Sequence, residues 1–396
     1  MNETQLHRLL DGVEIDGEAE ARRRTLTLLR SAMAARERPN FPRRHLRALA
    51  LATAVAVVAA VAVTSPGRAV VNALRDTIGR ERVVGRQPAA AELLRLPAGG
   101  RLLVDARPGP WIVPERGAKR LLGPYQGASW SPHGLFVAAV RKRDLLALDP
   151  HGRIRWSLPH QQRLRLPRWS PDGYRIAYLS GNTLRVTAGD GTGDHPLFRP
   201  AATVAAAWYP GTTAHLLAFV DANDRVRLAD ADSGRTRWTV RVQKPATLAW
   251  TRDGRYLISV SDRGTITIIN RNGRRLHTFP IPRGRHSLAV APRTDAYALA
   301  GRSAAGQSTV TITDLQRQRT RRVFSGRGRF GSLAWSPDSN WLALTWQSAD
   351  QILFLHATGR PEIRAVSNIS RQFDPASTSP RFPSLGGWCC TMNGQS

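Results

Sequence analysis

The feature that most constrains this chain is a repeated turn. Trp169-Ser170-Pro171-Asp172-Gly173 has close copies at Trp130-Ser131-Pro132-His133-Gly134, Trp250-Thr251-Arg252-Asp253-Gly254 and Trp335-Ser336-Pro337-Asp338-Ser339. Weaker copies are Trp208-Tyr209-Pro210-Gly211 and Val290-Ala291-Pro292-Arg293-Thr294-Asp295, the second with an aliphatic residue in place of Trp. Successive copies lie about forty residues apart, the period of a four-stranded propeller blade. Each opens on an apolar run such as Thr247-Leu248-Ala249-Trp250. Pro pre-sets the turn, Asp bonds backbone amides and Gly takes the left-handed position. An alternating strand follows, as in Tyr174 to Leu179 or Tyr256 to Val260, and then a short polar turn such as Gly181-Asn182, Asp221 to Asp224, or Asp262-Arg263-Gly264. Trp130, Trp169, Trp208, Trp250, Trp335 and Trp388 are expected as large apolar plates pressed between neighbouring sheets, a structural role rather than a ligand-binding one.

Both ends of the repeat region are incomplete in a complementary way. Arg101 to Val104, Trp111 to Val113 and Lys119 to Leu122 read as three strands without a first partner, and Arg381 to Trp388 reads as a first strand with nothing after it. Joining them gives one blade built from both termini, which removes the open strand edges a linear array would expose. The expectation is an all-β propeller of seven blades, six internal and one composite, over residues 96–390. A six-bladed ring with the tail outside is the alternative.

These repeats resemble the WD-repeat-like segments of TolB-type β-propellers, whose mark is the Trp-Ser-Pro-Asp-Gly turn. The resemblance implies fold and says little about function. Two blades also carry Asp149-Pro150-His151-Gly152-Arg153-Ile154-Arg155-Trp156 and Asp232-Ser233-Gly234-Arg235-Thr236-Arg237-Trp238. These are similar to the blade-end tryptophan motif of pyrroloquinoline-quinone propellers, in which that motif packs blades and does not hold the cofactor.

Ahead of the repeats, residues 1–45 are polar, basic and helix-prone, with Leu6, Leu9, Leu10 and Val13 on one helical face and Leu26, Leu29 and Met33 suggesting a second. Residues 46–64 contain the uncharged run Ala48 to Val63, just long enough to span a bilayer as a single-pass helix. A cleaved signal peptide would need a far shorter basic region. The arginines before the span place residues 1–45 in the cytoplasm by the positive-inside rule and the propeller outside the cell membrane. Residues 65–95 read as a juxtamembrane helix, with Val70, Val71, Leu74 and Ile78 on one face, and a linker; residues 391–396 are expected to fray. This layout, ending in Gly387-Trp388-Cys389-Cys390, resembles that of membrane-anchored propeller proteins of actinobacteria. A basic segment before one span is also similar to anti-sigma regulators, although the His-and-Cys zinc motif of many of those is absent.

The chain carries 58 basic and 29 acidic residues, a formal charge of +29. All but three of the basic residues (Lys119, Lys142 and Lys244) are Arg, so part of the excess reflects a compositional preference. The charge suits anionic envelope polymers or lipids. It is spread along the chain rather than gathered with aromatics, which argues against nucleic acid. His133, His160, His195, His215, His277, His286 and His356 are scattered without metal-ligand spacing. There is no Gly-x-Ser-x-Gly elbow, and Asp190-Gly191-Thr192-Gly193-Asp194 reads as a hairpin turn rather than a calcium loop. No catalytic, cofactor-binding or metal-binding residue is singled out. Cys389 and Cys390 are the only cysteines, and a reducible vicinal pair, packed free thiols or a link to another chain all fit the sequence.

The reading that results is a membrane-anchored, extracytoplasmic, non-catalytic propeller that binds or senses a protein or envelope ligand at the rim of its channel. Two alternatives are a transmembrane regulator whose N-terminal helices hold a cytoplasmic transcription factor, and an envelope enzyme, quinone-dependent or hydrolytic, on the same scaffold.

Overall fold

The computed structural model describes residues 90–390, apart from 212–213 and 303–305. The expected cytoplasmic segment (1–45), membrane span (46–64), juxtamembrane helix and frayed tail (391–396) lie outside the described residues. Among the described residues no helix is long and apolar enough to cross a membrane.

The turn that repeats in sequence repeats in atoms. In blade 3, Ser170 is 1% exposed, its amide donates to the Arg175 carbonyl at 2.8 Å, and its Oγ accepts the Arg175 amide at 2.8 Å. Asp172 in turn accepts the Ser170 hydroxyl and the Tyr174 amide. The same knot recurs with Thr251, Asp253 and Tyr256, and with Ser336, Asp338 and Trp341. Where the turn carries a hydroxyl, as at Ser131, Ser170, Thr251 and Ser336, it satisfies a strand amide that would be costly to leave unpaired; Tyr209 and Ala291 take that position in blades 4 and 6 without it.

Each knot ends the innermost strand of a blade. These innermost strands are Gln126–Trp130, Leu164–Trp169, Ala207–Trp208, Pro245–Trp250, His286–Val290 and Phe330–Trp335, belonging to blades 2 to 7. Blade 1 is the composite one: Ser384–Cys389 is its innermost strand, followed outward by Arg101–Ala106, Gly109–Pro114 and Arg120–Leu121. Leu102 pairs with Trp388 and Leu103 with Gly387, so the last strand closes the ring against the first. All seven sheets have four antiparallel strands. The all-β, seven-bladed expectation therefore holds, with the six-bladed alternative set aside.

Residues just ahead of blade 1 are packed. The Ala90 amide donates to the Ala365 carbonyl at 2.9 Å, and Leu93 is fully buried with Phe373 of the short helix Ile369–Phe373. That helix interrupts the return from blade 7 to the closure strand and was not signalled by the repeat pattern. It forms because Ile369 and Phe373 fill one pocket, while Asp350 accepts both the amide and the hydroxyl of Ser370.

Adjacent blades are joined by a second recurring device on their outer strands. At four of the seven seams the residue directly after the third strand offers its carbonyl to a side chain of the preceding blade. Trp156 Nε1 donates to Gly189 at 3.0 Å, His195 Nε2 to Ala231 at 2.9 Å, Trp238 Nε1 to Arg271 at 2.9 Å, and Arg321 to Ala357. The two indoles lie over bare backbone: a Cβ at Gly191 or Gly273 would come within 2.9 or 2.7 Å of them. Among the described residues the blade 5–blade 6 seam lacks this latch, as do the two seams of blade 1. Between blades 5 and 6, His277 stands where blades 2 and 4 carry Trp, the left-handed turn residue is Gln318 rather than Gly, and no described blade 5 side chain donates to the Leu315 carbonyl. This same blade 6 has Val290 in place of the inner Trp. A cleft of about 570 Å³ remains, lined by Tyr256, Ile268, Phe279, Tyr297 and Leu315.

Candidate binding site at the channel mouth

An antiparallel meander sorts its loops onto two faces. Turns between first and second strands, and between third and fourth, lie on one face; second-to-third turns and the connections between blades lie on the other, where each innermost strand begins. The Trp knots and the Cys pair are at the ends of the innermost strands and so belong to the first face.

Acids on that first face are consumed by structure. His215 bridges Asp172 at 2.9 Å and Asp232 at 2.5 Å, and Arg175 Nε donates to Asp232 at 2.7 Å. Burial alone would raise the carboxyl of Asp172, but the hydrogen bonds from Ser170 and the Tyr174 amide, with the neighbouring His215, hold it below the usual carboxylate range. Asp338 is held low in the same way by Ser336 and Asn340. Tyr178, Asp194, Arg185 and His160 form one further network, in which the phenol donates to Asp194 at 2.5 Å and Arg185 pairs with the same carboxylate. Burial, then the Asp194 contact, pushes the Tyr178 hydroxyl well above its ordinary range. Burial also depresses the His160 imidazole. With Tyr178 1% exposed, this cluster is a satisfied core network between blades 2 and 3.

The opposite face differs. At the mouth of the channel, the starts of the innermost strands of blades 5, 6 and 7 enclose a cavity of about 940 Å³. Ala246 and Thr247, Ser287, and Gly331 and Ser332 form its wall; Arg283, Arg285, Arg302 and Arg329 stand around it, with Asp262 as the one acid. Among the described residues none of these four arginines has an ion-pair partner, whereas most first-face aspartates do. His286 is tucked into the wall beneath Gly301, where a Cβ would approach its ring to 2.3 Å. Both of its ring nitrogens are buried, and neither makes a well-formed hydrogen bond. Burial depresses the imidazole below its ordinary value, against the opposing pull of the Gly284 backbone and then of the Asp262 carboxylate.

The tryptophans and cysteines singled out in the sequence lie away from this mouth, whereas Asp262 and His286, read there only as a turn residue and a scattered histidine, line it. Trp208, Trp335 and Trp388 donate their indole N–H groups to the Arg168, Ala289 and Gly99 carbonyls at 2.9, 3.0 and 3.1 Å. Trp130, Trp169 and Trp250 are packed with their indole nitrogens unpaired. Cys389 and Cys390 form a disulfide at the end of the closure strand. It lies against the Ser131-to-Gly134 turn: a Cβ at Gly134 would meet Cys390 Sγ at 3.2 Å and Arg101 Nη2 at 2.6 Å. Arg101 donates to the Gly134 carbonyl and covers the Trp130 ring, so the disulfide, Arg101 and Trp130 together join blades 1 and 2. The mouth arginines were invisible as a motif because they come from two inter-blade connections and the end of a blade 6 strand. Only Arg283-Gly284-Arg285-His286 is a local signal.

No known family profile matches the chain, and no curated protein does. Among solved structures it is similar to the β-propeller domain of Cps50 (Swd1) from Myceliophteria thermophila, with a TM-score of 0.50 and 14% identity over 62% of this chain and 86% of that one. A weaker overlap, TM-score 0.47 and 11% identity over 58% of this chain and 76% of the other, is with hydrazine synthase from Kuenenia stuttgartiensis. At such identities the likeness is one of fold. The chain is a WD-repeat-like, seven-bladed β-propeller.

Proposed function

We propose that this propeller is a non-catalytic binding and sensing module, carried outside the cell membrane by residues 46–64 with the N-terminus in the cytoplasm, and that it engages a protein or envelope ligand. The observation that supports it is the division of labour between the two faces. Blade interiors and first-face acids are occupied by packing and turns, while the opposite face keeps an open mouth ringed by unpaired arginines. Rim loops of a rigid ring are free to vary and to bind because they carry none of the blade packing. The layout resembling anchored propellers of actinobacteria agrees with this placement.

The test is crosslinking in intact cells followed by partner identification, comparing the full chain with a version lacking residues 1–45. The proposal expects both to capture the same envelope partners. Capture of a cytoplasmic transcription factor by the full chain alone would replace it with the transmembrane-regulator reading.

A further inference from the structure

We propose that the mouth between blades 5 and 7 is a binding site for a small polyanion carrying phosphoryl or carboxylate groups, held by Arg283, Arg285, Arg302 and Arg329 with His286 in the wall. The inference rests on the binding-module reading above and assigns its ligand chemistry.

Four features converge. The cavity, about 940 Å³, lies within the range of small-ligand pockets, roughly 300–1,000 Å³. Its charge is four guanidinium groups against the single carboxylate of Asp262, an excess of about three that a trivalent anion would neutralise and a divalent one would reduce. Guanidinium groups present paired N–H donors that match phosphate and carboxylate oxygens in a fork, which suits them to oxyanions rather than to diffuse negative charge. The fourth feature is independent of charge. Neither buried ring nitrogen of His286 makes a well-formed hydrogen bond, its backbone contact being with Gly284, although buried polar atoms are normally paired. Its ring reaches this position because residue 301 is Gly. Both nitrogens are closed off against Gly301, so the ring N–H would reach an oxyanion only on turning outward into the cavity.

A cavity of about 580 Å³ in blade 1 shares part of this combination, with Arg101, Arg116 and Arg120 around it and Arg101 Nε buried without a partner, but its arginines are engaged: Arg116 with Glu115, Arg120 with His151, and Arg101 with the Gly134 carbonyl. Arg241, Lys244, Arg263 and Arg275 line a shallower recess between blades 4 and 5, but no unpaired buried group accompanies them. The apolar cleft at the blade 5–blade 6 seam holds no charge partner that would name an occupant.

The test is isothermal titration of the full-length protein with inorganic pyrophosphate and with citrate, each at matched ionic strength. Three variants are compared: Arg285→Gln with Arg329→Gln at the mouth, Arg319→Gln with Arg322→Gln on the exposed outer strand of blade 6, and Gly301→Ala. The expected result is saturable binding that the mouth pair weakens about tenfold or more and that the outer pair, equal in charge change, alters less than about twofold. Gly301→Ala weakens binding with no change of charge, and far-ultraviolet circular dichroism reports whether it still folds. Pyrophosphate bound in preference to citrate points to a phosphoryl source, and the reverse to a carboxylate source. Absence of saturable binding, or equal loss in both Arg pairs, overturns the proposal. If the mouth nonetheless crosslinks to a partner in cells, only the anion assignment fails and the binding-module reading stands.

Discussion

Truncating Trp238 to Ala should destabilise the ring far more than truncating its counterpart His277, although both occupy the same position on successive outer strands. Trp238 lies half-buried over the bare backbone of Gly273 and donates to the Arg271 carbonyl at 2.9 Å. A buried aromatic covers roughly 150–250 Å². Half of that, at about 25 cal/mol per Å², is about 2–3 kcal/mol. The hydrogen bond adds about 1 kcal/mol, reduced here because water can reach the freed carbonyl. The expected cost is therefore about 3 kcal/mol. His277 is exposed, stacked only on Phe279, and latches nothing, so its truncation should change stability by less than about 0.5 kcal/mol. Urea unfolding followed by far-ultraviolet circular dichroism, with the slope of the transition compared between variants, measures both. Native-state hydrogen exchange adds the location: amides of the third strand of blade 5 and second strand of blade 6 should exchange earliest among inner-sheet amides, because that seam has neither latch nor inner Trp. A cost for His277→Ala equal to that for Trp238→Ala would refute the latch argument.

Other predictions follow from the turns and the termini. Ser336→Ala removes the acceptor of the Trp341 amide in a buried turn and should cost about 1–3 kcal/mol in urea unfolding, with Ser336→Thr close to neutral because Thr251 makes the same knot in blade 5. Asp172 and Asp338 have folded-state carboxyls below the ordinary value of 3.8, so their contribution is complete above that pH and is lost as pH falls through it towards their folded values. The urea midpoint should accordingly fall between pH 5 and about pH 3, and the fall should be smaller in Asp338→Asn. Replacing Cys389 and Cys390 together by Ser should cost little unfolded-state entropy, since the disulfide closes a sequence separation of 1. A loss above about 2 kcal/mol in the thermal or urea midpoint would show that the pair contributes chiefly by packing on Gly134 and Arg101.

The fold was readable because its signal is repeated. A buried Ser or Thr, a Pro or Asp and a left-handed Gly recur for one physical reason, the amide they satisfy, and Trp388 could be matched to Trp169 as the end of an innermost strand. The outer latches were only half readable. Trp156 and Trp238 carry a recognisable motif, but His195 and Arg321 do the same work with different side chains, and only the shared carbonyl acceptor reveals the equivalence. The short helix Ile369–Phe373 was hidden because it depends on burial against Trp111 and Leu93, which lie more than two hundred residues away in sequence. The mouth was hidden for a related reason. Arg283, Arg302 and Arg329 look like members of a general arginine excess until blade register brings them around one cavity.

The most direct test of the account is site-specific photo-crosslinking of the full-length protein in cells, with the photoreactive residue at position 347 on the channel mouth or at position 174 beside a first-face turn. Gln347 and Tyr174 are both exposed and neither takes the left-handed backbone, so neither probe should disturb a blade. The account predicts a discrete adduct from position 347 that disappears when Arg285 and Arg329 are changed to Gln, and none from position 174. Adducts from position 174 alone would place the working surface on the opposite face and contradict it.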